Sequence, residues 1–515
     1  MLNNTLLDAL IEFNQLDEHQ IQELHKPPKL VFSNHPLFVK AAGLIVKAVE
    51  EKRKIIVCGD YDADGIIATT IMVQSLRKIG ADVGYYIPNR FTEGYGLNLA
   101  TVEKALDKGY SFFICVDNGV SAHDALKVLK EHNSLCLILD HHQIEQEVDC
   151  SHLVHPDLLD SFDQNMCGSG LSFQVSHHLI GFDAYLCGLA AIATIADVMP
   201  LWGFNRACVR AGIELINQNG YETLKPLFNK TGIINEQDIA YQLVPKINAF
   251  GRLADLVNVN QLVEYLSLEH PYTIETFAKE MLRINDRRKE INQTMYIEAL
   301  SLIDEAEVQV LSSPLFHEGI VGITAGRLAS ELHKPVFVLN EHQGRLKGSA
   351  RSYGGLDLRT LIEPAAHLLL RYGGHAAAAG IELKKENGLE FKRLINAHVH
   401  TLSDADERKD NLLMKKDWFD IDVIEECMRF RPFGQGFIWP EFTFNDVEIR
   451  DVQRMRMGLR FKLMIFGRMV DAVFFDDTMN ETHLPVFNSI KAQVSIDDYR
   501  SRRQLKLLIK SFAER

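Results

Sequence analysis

The sequence predicts an α/β protein: a parallel-sheet domain, a smaller α/β unit joined to it by a long helix, and a small C-terminal barrel or sandwich. Three observations carry that prediction. Between residues 54 and about 200, short β-branched runs without alternation are separated by helical stretches, the pattern of strands buried on both faces of a helix-covered sheet. From Ile274 to Glu305 neither Pro nor Gly interrupts a helical pattern. Beyond Pro440 five short strands follow at even spacing, as in small barrels and sandwiches.

In chain order, residues 1–50 read as an N-terminal helical segment and 51–215 as the sheet domain. Within that domain KIIVCGD, DVGYYI, SFFICVD and LCLILDHH read as strands, with IIATTIMVQSLRKIG and HDALKVLKEH as helices between them. Such doubly wound sheets bind ligands beyond the carboxyl ends of their strands. Residues 216–305 read as helical and end in the uninterrupted connector. Residues 306–405 return to short β runs (VQVLSSP, PVFVL, GRLKGSARS), then a helix and the small-residue segment GGHAAAAGIEL. The charged stretch SDADERKDNLLMKKD, a solvated linker or helix start, leads into residues 406–515 and their strands FTFNDVEIRDV, GLRFKLMIFG, MVDAVFF, IKAQVSIDDY and QLKLLIKSF.

The length, 515 residues, suits three or four packed units at roughly 100–200 residues each. With 46% hydrophobic and 24% charged residues, the composition excludes disorder, collagen and coiled coil. No apolar run reaches the ~18 residues of a membrane span, and MLNNTLLDALIEFNQLDEHQ lacks the basic tip and apolar stretch of a signal peptide. The chain therefore reads as cytoplasmic. A net charge of −14 and a pI near 5.8 argue against a protein that coats nucleic acid through bulk charge. The eight cysteines form no CxxC pair and read as buried, reduced thiols.

The most informative segment is GDYDADG (59–65), directly after the run KIIVC. Alternate carboxylates past a strand end converge on a hard divalent cation; the motif alone is equally a solvated acidic turn or a helix cap. It is not an EF-hand, because a strand precedes it and IIATT follows Gly65, nor a P-loop, because GK[ST] is missing. Asp117 ends SFFICVDNG, while Asp140, His141 and His142 end LCLILDHHQ. In a parallel sheet these ends share one edge and one crevice. GLAAIATIADVMPL leads to Asp197, a lone carboxylate in an apolar, helix-like stretch. An unpaired buried carboxylate costs several kcal/mol, and a metal compensates it economically. Singly, each of these residues is more often an N-cap or a satisfied core group; four segments at one edge are not. Oxygen-rich ligation with imidazole suits Mn²⁺ or Mg²⁺ better than zinc, and so many carboxylates suggest two ions about 3.5–4 Å apart.

GDYDADG, VDNG, DHH and ADVMPL, in that order and on those strands, resemble the four motifs of the DHH phosphoesterase superfamily. NRFTEGYGL (89–97), INAFGRL (247–253), FHEGIVGITAGRL (316–328), GSARS (348–352) and GGHAAAAG (373–380) resemble further signatures of its RecJ family of single-strand-specific 5′-to-3′ DNA exonucleases. RPFGQGFIWPEF (431–442) is similar to the approach to that family's OB-fold. The resemblance spans roughly residues 30–515 and implies a DHH domain, a DHH-associated domain and an OB-like β-barrel.

It also implies hydrolysis of single-stranded DNA to 5′-mononucleotides in repair and recombination, by in-line attack of activated water without a covalent enzyme intermediate. Asp62 and Asp64 would be metal ligands, with Asp117 bridging two ions and His141 and Asp197 completing one site. Asp60 would ligate or orient within the first site. His142 would donate to a phosphate oxygen, with Asp140 beside it in the catalytic set. Where some relatives carry a ligating histidine this strand has Cys58, so either Asp60 or water would fill that place and the first metal would bind more weakly. Gly348, Ser349, Arg351, Ser352 and the glycine-flanked His375 form a cradle suited to a terminal phosphate, with Asn248, Arg252 and Arg327 as further phosphate-facing candidates; the bland reading of each is a polar loop or a surface charge. The implied partners are single-stranded DNA with a 5′ end, a RecQ-type helicase and a single-strand-binding protein, around a monomer with no membrane role.

Residues 441–515 carry 13 Lys plus Arg against 11 Asp plus Glu. Within residues 450–468, Arg450, Arg454, Arg456, Arg460, Lys462 and Arg468 face one acid, Asp451. With Phe461, Phe466 and Phe474 interleaved, the stripe reads as a single-strand-binding groove, against core phenylalanines beneath a solvated face. Two other functions compete: a phosphodiesterase for short oligonucleotides or cyclic dinucleotides, against which the extra barrel speaks, and a non-catalytic replication scaffold, against which the full set of aspartates speaks.

Overall fold

A computed structural model describes residues 5–514 apart from 95, 230–231, 401–410, 456–457, 476–486 and 498–502. Its first sheet contains β1 (Ile55–Cys58), β2 (Val83–Tyr86), β3 (Phe112–Val116), β4 (Leu135–Leu139) and β5 (His152–Val154), all parallel, in the order β2-β1-β3-β4-β5. The unbroken apolar runs follow from burial on both faces. Ile55, Val57, Ile114 and Val116 enter the core beneath the helices Ala63–Lys78, Gly168–Ile180 and Ala184–Ala196. Ile56, Cys58, Phe113 and Cys115 enter a second cluster on the opposite face. The chain leaves β1 toward one side of the sheet and β3 toward the other, so a crevice opens at their carboxyl ends.

The connector is the helix Pro271–Ser301, 31 residues, about 46 Å long at 1.5 Å per residue. Beyond it lie β6 (Gln309–Ser313), β7 (Val336–His342), β8 (Arg345–Arg351), β9 (Leu369–His375) and β10 (Ala378–Lys384), ordered β6-β7-β8-β10-β9. GGHAAAAG, a single small-residue segment in the sequence, is here a hairpin joining β9 to β10. Gly374 sits at φ +139, where a Cβ would meet the Ala378 carbonyl at 2.3 Å.

The C-terminal sheet comprises β11 (Asn411–Leu413), β12 (Glu441–Asn445), β13 (Glu448–Met455), β14 (Gly458–Ile465), β15 (Arg468–Phe474), β16 (Phe487–Asp497) and β17 (Gln504–Glu514), ordered β11-β12-β16-β17-β15-β14-β13. Among the described residues six strands rather than five follow Pro440, because FTFNDVEIRDV breaks at Asp446, a turn residue at φ +54. The first part of the charged linker stretch, up to residue 410, lies outside the described residues.

The N-terminal segment is divided between two cores. The helix Pro36–Glu50 packs on the first sheet. The helices Leu6–Phe13 and Glu18–His25 instead place Leu6, Leu10 and Leu24 in the C-terminal core beside Trp418, Phe433 and Phe437. Polar pins fix this core to the sheet domain. Glu23 accepts the Gly203 N–H at 3.1 Å, and the Leu201 N–H donates to the Gln435 carbonyl at 2.9 Å. Arg206, fully buried, donates to the carbonyls of Phe430 and Pro432 at 2.5 and 3.3 Å. No helix among the described residues is long and apolar enough to cross a membrane, and all eight cysteines are free thiols.

Candidate metal centre

The acidic loop is tight because Gly65 has no side chain: a Cβ there would lie 2.6 Å from the Asp60 backbone. Asp62 caps the helix that follows, accepting the Gly65 N–H at 3.1 Å. Asn248 holds the loop from outside by accepting the Ala63 N–H at 2.8 Å. That oxygen is thus turned to the loop backbone rather than toward a phosphate. Asp64, 1% exposed, accepts the N–H groups of Gly168 and Ser169 at 2.7 and 2.9 Å. These open the helix Gly168–Ile180, whose positive dipole end favours the carboxylate. Asp60 is 3% exposed and its Oδ1 has no hydrogen-bond partner.

At the end of β3, Asp117 adopts a left-handed backbone at φ +59, followed by Gly119 at φ +125. The Asn118 amide donates to the carbonyls of Cys58 and Val116 at 3.0 and 2.9 Å, stapling β1 to β3. After β4, Asp140 accepts the Val120 N–H at 3.0 Å, the His141 N–H at 2.8 Å and the His142 Nδ1 proton at 2.8 Å. With the His142 backbone N–H also bound at 3.2 Å, its oxygens are spent on orienting His142 and the loop around it. Asp197 is the C-cap of Ala184–Ala196, and its side chain is 27% exposed. It sits at a helix end facing the crevice rather than inside the buried stretch that its neighbours suggested.

These residues converge. His141 Nε2 lies 3.1 Å from Asp117, 3.4 Å from Asp197 and 3.9 Å from Asp64. Three overlapping triads present ligand atoms within 4.8 Å of one another: Asp60, Asp62 and Asp117; Asp64, His141 and Asp197; and Asp117, His141 and His142. Asp117 is common to the first and third. Burial, and then the charges of neighbouring carboxylates, raises four of these carboxyls: Asp60, Asp62, Asp117 and Asp197. Burial and then the Asp62 charge push Asp60 well above the usual carboxylate range, and burial and then Asp64 do the same for Asp117. Asp197 is pushed up to about 8 by burial, then by Asp64 and Asp62. Burial lowers His141. It works against a charge on His142 too, but the Asp140 hydrogen bond and charge outweigh it and lift His142 to about 9. An orphaned buried oxygen, crowded carboxyls and a neutral imidazole fit a divalent cation bound by oxygen and nitrogen.

Opposite the acids, arginines gather. Arg252 is half-buried, and its guanidinium is lowered to about 10, first by desolvation and then by the charges of Arg90, Arg288 and Arg351, while Asp62 pulls the other way. It also donates to the Gly319 carbonyl at 3.4 Å. Arg351 donates to Ser349 Oγ at 2.6 Å and the Ala350 carbonyl at 2.8 Å, in room left by Gly322. Register pairs Arg351 with Ala378 and Ala378 with His375 across β8, β10 and β9, so Ser349, Arg351 and exposed His375 share one sheet face. Ser352 is turned into its own loop, bonding the Leu356 carbonyl.

Arg327 is not brought here. Its guanidinium stacks on Tyr296 at 3.5 Å and pairs with Glu331 at 2.8 Å, because its turn of the helix Val321–Leu332 faces the connector. Arg90 and Arg288 were not singled out by sequence reasoning. Arg90 lies in NRFTEGYGL and stacks on Tyr61 at 4.8 Å, whereas Arg288, inside a charged helix, carried no signal; its Nε is buried without a partner.

In the C-terminal sheet the core reading of the phenylalanines holds. Phe461 is fully buried, and Phe466 and Phe474 pack against the same core, so none stands as a base platform. Arg460 pairs with Asp471 at 2.9 Å, Arg468 with Asp420 at 3.0 Å and Arg450 with Glu448. Lys462 and Arg454 are exposed on β14 and β13, and Arg456 lies outside the described residues. The Cys58 thiol belongs to the cluster on the opposite sheet face, so it does not stand in for a ligand.

The chain matches the models of the DHH family N-terminal domain over residues 54–198, the DHHA1 domain over 306–401 and the RecJ OB domain over 412–511. It is 30% identical over 497 residues to the single-stranded-DNA-specific exonuclease RecJ of Bacillus subtilis, covering 92% of this chain and 63% of that protein. The Haemophilus influenzae protein of the same name is 29% identical, with 98% of this chain and 96% of that protein covered. The chain thus spans slightly less than two thirds of the first relative and nearly all of the second. The structure resembles that of RecJ in complex with Mn²⁺ from Thermus thermophilus, with a TM-score of 0.82 and 26% identity, covering 98% of this chain and 76% of that one. It also resembles an exonuclease RecJ bound to manganese, with a TM-score of 0.64 and 32% identity, covering 73% of this chain and 97% of that one.

Proposed function

The chain belongs to the RecJ family, and on that premise we propose that it is a divalent-metal-dependent exonuclease. It would degrade single-stranded DNA from a 5′ end to 5′-mononucleotides, in repair and recombination. One observation carries this reading: the triads around Asp117 face a group of arginines, with Arg252 subject to both Asp62 and its three guanidinium neighbours. Cations crowded against one another at such a site are held for an anion, and a terminal phosphate meets that need.

Bound Mn²⁺ or Mg²⁺, most suitably two ions, supplies Lewis acidity and activates water beside a phosphodiester. Asp60, Asp62 and Asp117 would hold one ion, and Asp64, His141 and Asp197 the other. Around them the chain binds and orients. Arg90, Arg252, Arg288 and Arg351, with Ser349 and His375, would anchor the strand's 5′ end. His142, kept charged by Asp140, would donate to a non-bridging phosphate oxygen. The exposed Lys462 and Arg454, and the surface ion pairs of Arg460 and Arg468, worth only ~0–1 kcal/mol each, would exchange carboxylates for backbone phosphates at small cost. A monomer suffices, because both sides of the cleft come from one chain. A RecQ-type helicase and a single-strand-binding protein in the cytoplasm would deliver the unpaired strand.

The test is digestion of 5′-labelled single-stranded DNA, duplex DNA and a dinucleotide with Mn²⁺, repeated with Asp117→Ala. The single strand should be consumed from its labelled end and the variant should be inactive. Equal or better turnover of the dinucleotide would overturn the exonuclease reading, and activity surviving the substitution would overturn the metal assignment.

A further inference from the structure

The segments that carry the arginines meet at one histidine. Arg90 stands in the loop after β2, Arg252 ends the helix Val244–Arg252, and Arg351 ends β8. His317 lies between β6 and the helix Val321–Leu332, whose Gly322 makes room for Arg351. Both ring nitrogens of His317 are engaged. Nδ1 accepts the Gly319 N–H at 3.1 Å, which places the ring proton of the neutral imidazole on Nε2. That nitrogen faces Asp255 Oδ2 at 3.3 Å. The edge of the Phe91 ring meets the imidazole at 5.7 Å between centroids. The backbone is held as well: the His317 N–H donates to Met295 Sδ of the connector at 3.2 Å, and its carbonyl accepts the Ile320 and Val321 N–H groups at 2.9 and 3.1 Å.

The approach of the two units is close at this point. A Cβ on Gly319 would lie 1.9 Å from the Arg252 carbonyl and 3.1 Å from Phe91 Cζ. On the side of the metal domain the pieces are tied to one another: the Asn89 amide donates to the Ala254 carbonyl at 2.6 Å, and its oxygen accepts the Phe91 N–H at 2.9 Å. The loop of Arg90 and the segment from Arg252 to Asp255 thus form one surface, on which His317 and Gly319 dock. The His317 side chain is 21% exposed and that of Asp255 42%. A pair so open to water adds little to stability, so what it contributes is the register between the units.

We propose that His317 is a positioning residue: held by Asp255, it sets the gap between Arg90 and Arg252 on the metal domain and Arg351 on the smaller unit. A 5′ phosphate anchored from both sides then presents the first phosphodiester to the metal centre and no later one. This rests on the exonuclease reading above. Guanidinium donors grip a phosphate through a fixed fork geometry, so arms on two separate units need their spacing fixed. The connector joins those units once, and the bond from His317 to Asp255 ties them a second time. His317 touches neither the strand nor the reacting atoms and acts through the arginines it places.

The test uses the full chain and single strands with 5′-phosphoryl or 5′-hydroxyl ends, with product length and turnover read in Mn²⁺ and affinity in EDTA. Asp255→Ala and His317→Ala should each release dinucleotides beside mononucleotides from the first turnover. Their kcat on phosphorylated strands should fall by about ten- to a hundredfold, as for reacting groups misplaced by about 1 Å. In EDTA the preference for a phosphorylated end should fall about tenfold, the weight of one hydrogen bond to a charged group. The double variant should be no worse than either single one, since both remove the same bond. His317→Gln keeps an N–H donor in the place of Nε2 and should restore mononucleotide release. His317→Asn keeps only an acceptor near Nδ1 and should not. Pure mononucleotide release with the wild-type end preference in both alanine variants would overturn the proposal. So would rescue by asparagine rather than glutamine, which would confine His317 to shaping its own loop; this pair decides the matter even if an alanine variant fails to fold. Should the wild-type chain bind DNA but release no nucleotides, the exonuclease reading falls, while end preference in EDTA still decides whether His317 sets the gap.

Discussion

Gly168 stands so close to Asp117 that a Cβ on it would lie 2.6 Å from the Asp117 Cβ and 2.8 Å from its Cα. The helix that begins at Gly168 delivers two N–H groups to Asp64, so its approach to the end of β3 sets two carboxylates at once. The absence of a side chain at position 168 is therefore part of how the candidate metal centre is built.

Gly168→Ala should consequently shift Asp117 and Asp64 together. Misplacement of reacting groups by about 1 Å costs roughly a hundredfold, and a loss of that order in Mn²⁺-supported exonuclease turnover is expected. Far-ultraviolet circular dichroism should be unchanged. Near-wild-type turnover would show that the helix can yield without moving the acids.

Metal binding should release protons. The raised carboxyls, Asp197 at about 8 among them, bind protons more tightly folded than unfolded. Stability from them is thus fully present below the ordinary carboxylate value near 3.8 and is lost as pH rises toward 8. Without metal the melting temperature should fall across that window. Mn²⁺ should restore it, with an affinity that rises with pH to about 8 because protons no longer compete. Calorimetry in buffers of different ionisation enthalpy reads the proton count directly, and zero release would contradict the coupling.

Arg351→Ala and Arg288→Ala should weaken use of 5′-phosphorylated strands more than general strand binding. Hydrogen bonds to charged groups weigh roughly 1.5–3 kcal/mol, or about ten- to a hundredfold in the preference for a phosphorylated over a hydroxyl 5′ end. Arg327→Ala, lying on Tyr296, should leave that preference intact. Competition between the two end types measures it, and equal losses on both would remove the cradle.

Arg206→Ala should loosen the joint between the sheet domain and the C-terminal core, because one buried and one partly buried carbonyl lose their donor. Each unsatisfied group costs roughly 1–3 kcal/mol. Thermal unfolding should split or shift down, with activity on long strands falling while dinucleotide cleavage persists. A parallel loss of both would place the effect in the sheet domain itself.

The acid motifs were legible because their signal is local. A strand run, a carboxylate at its end and a turn glycine all lie within a few residues, and a parallel sheet gathers such ends at one edge. The long connector helix was legible for the same reason, since only an absence of Pro and Gly was needed. Asp140 was harder, because adjacency to His142 does not say that its oxygens are spent on holding the imidazole and nearby N–H groups. The phenylalanines of β14 and β15 and the turn between them alternate with arginines in a pattern that a binding stripe and an ordinary half-buried sheet share.

The sequence by itself determined the sheet that builds the crevice, the identity of the acids and histidines that meet there, and the three-part division of the chain, since periodicity and turn chemistry act between near neighbours. Only the tertiary structure decided which arginines face those acids. Arg288 reaches the site from the middle of a charged helix, and Arg327 is drawn away by Tyr296 and Glu331. It also sent the first two helices to the far core. Most of these outcomes depend on which surfaces pack against each other far apart in the sequence, and even Arg327, which meets Glu331 one helical turn away, is turned aside by the packing of its helix against Tyr296 of the connector.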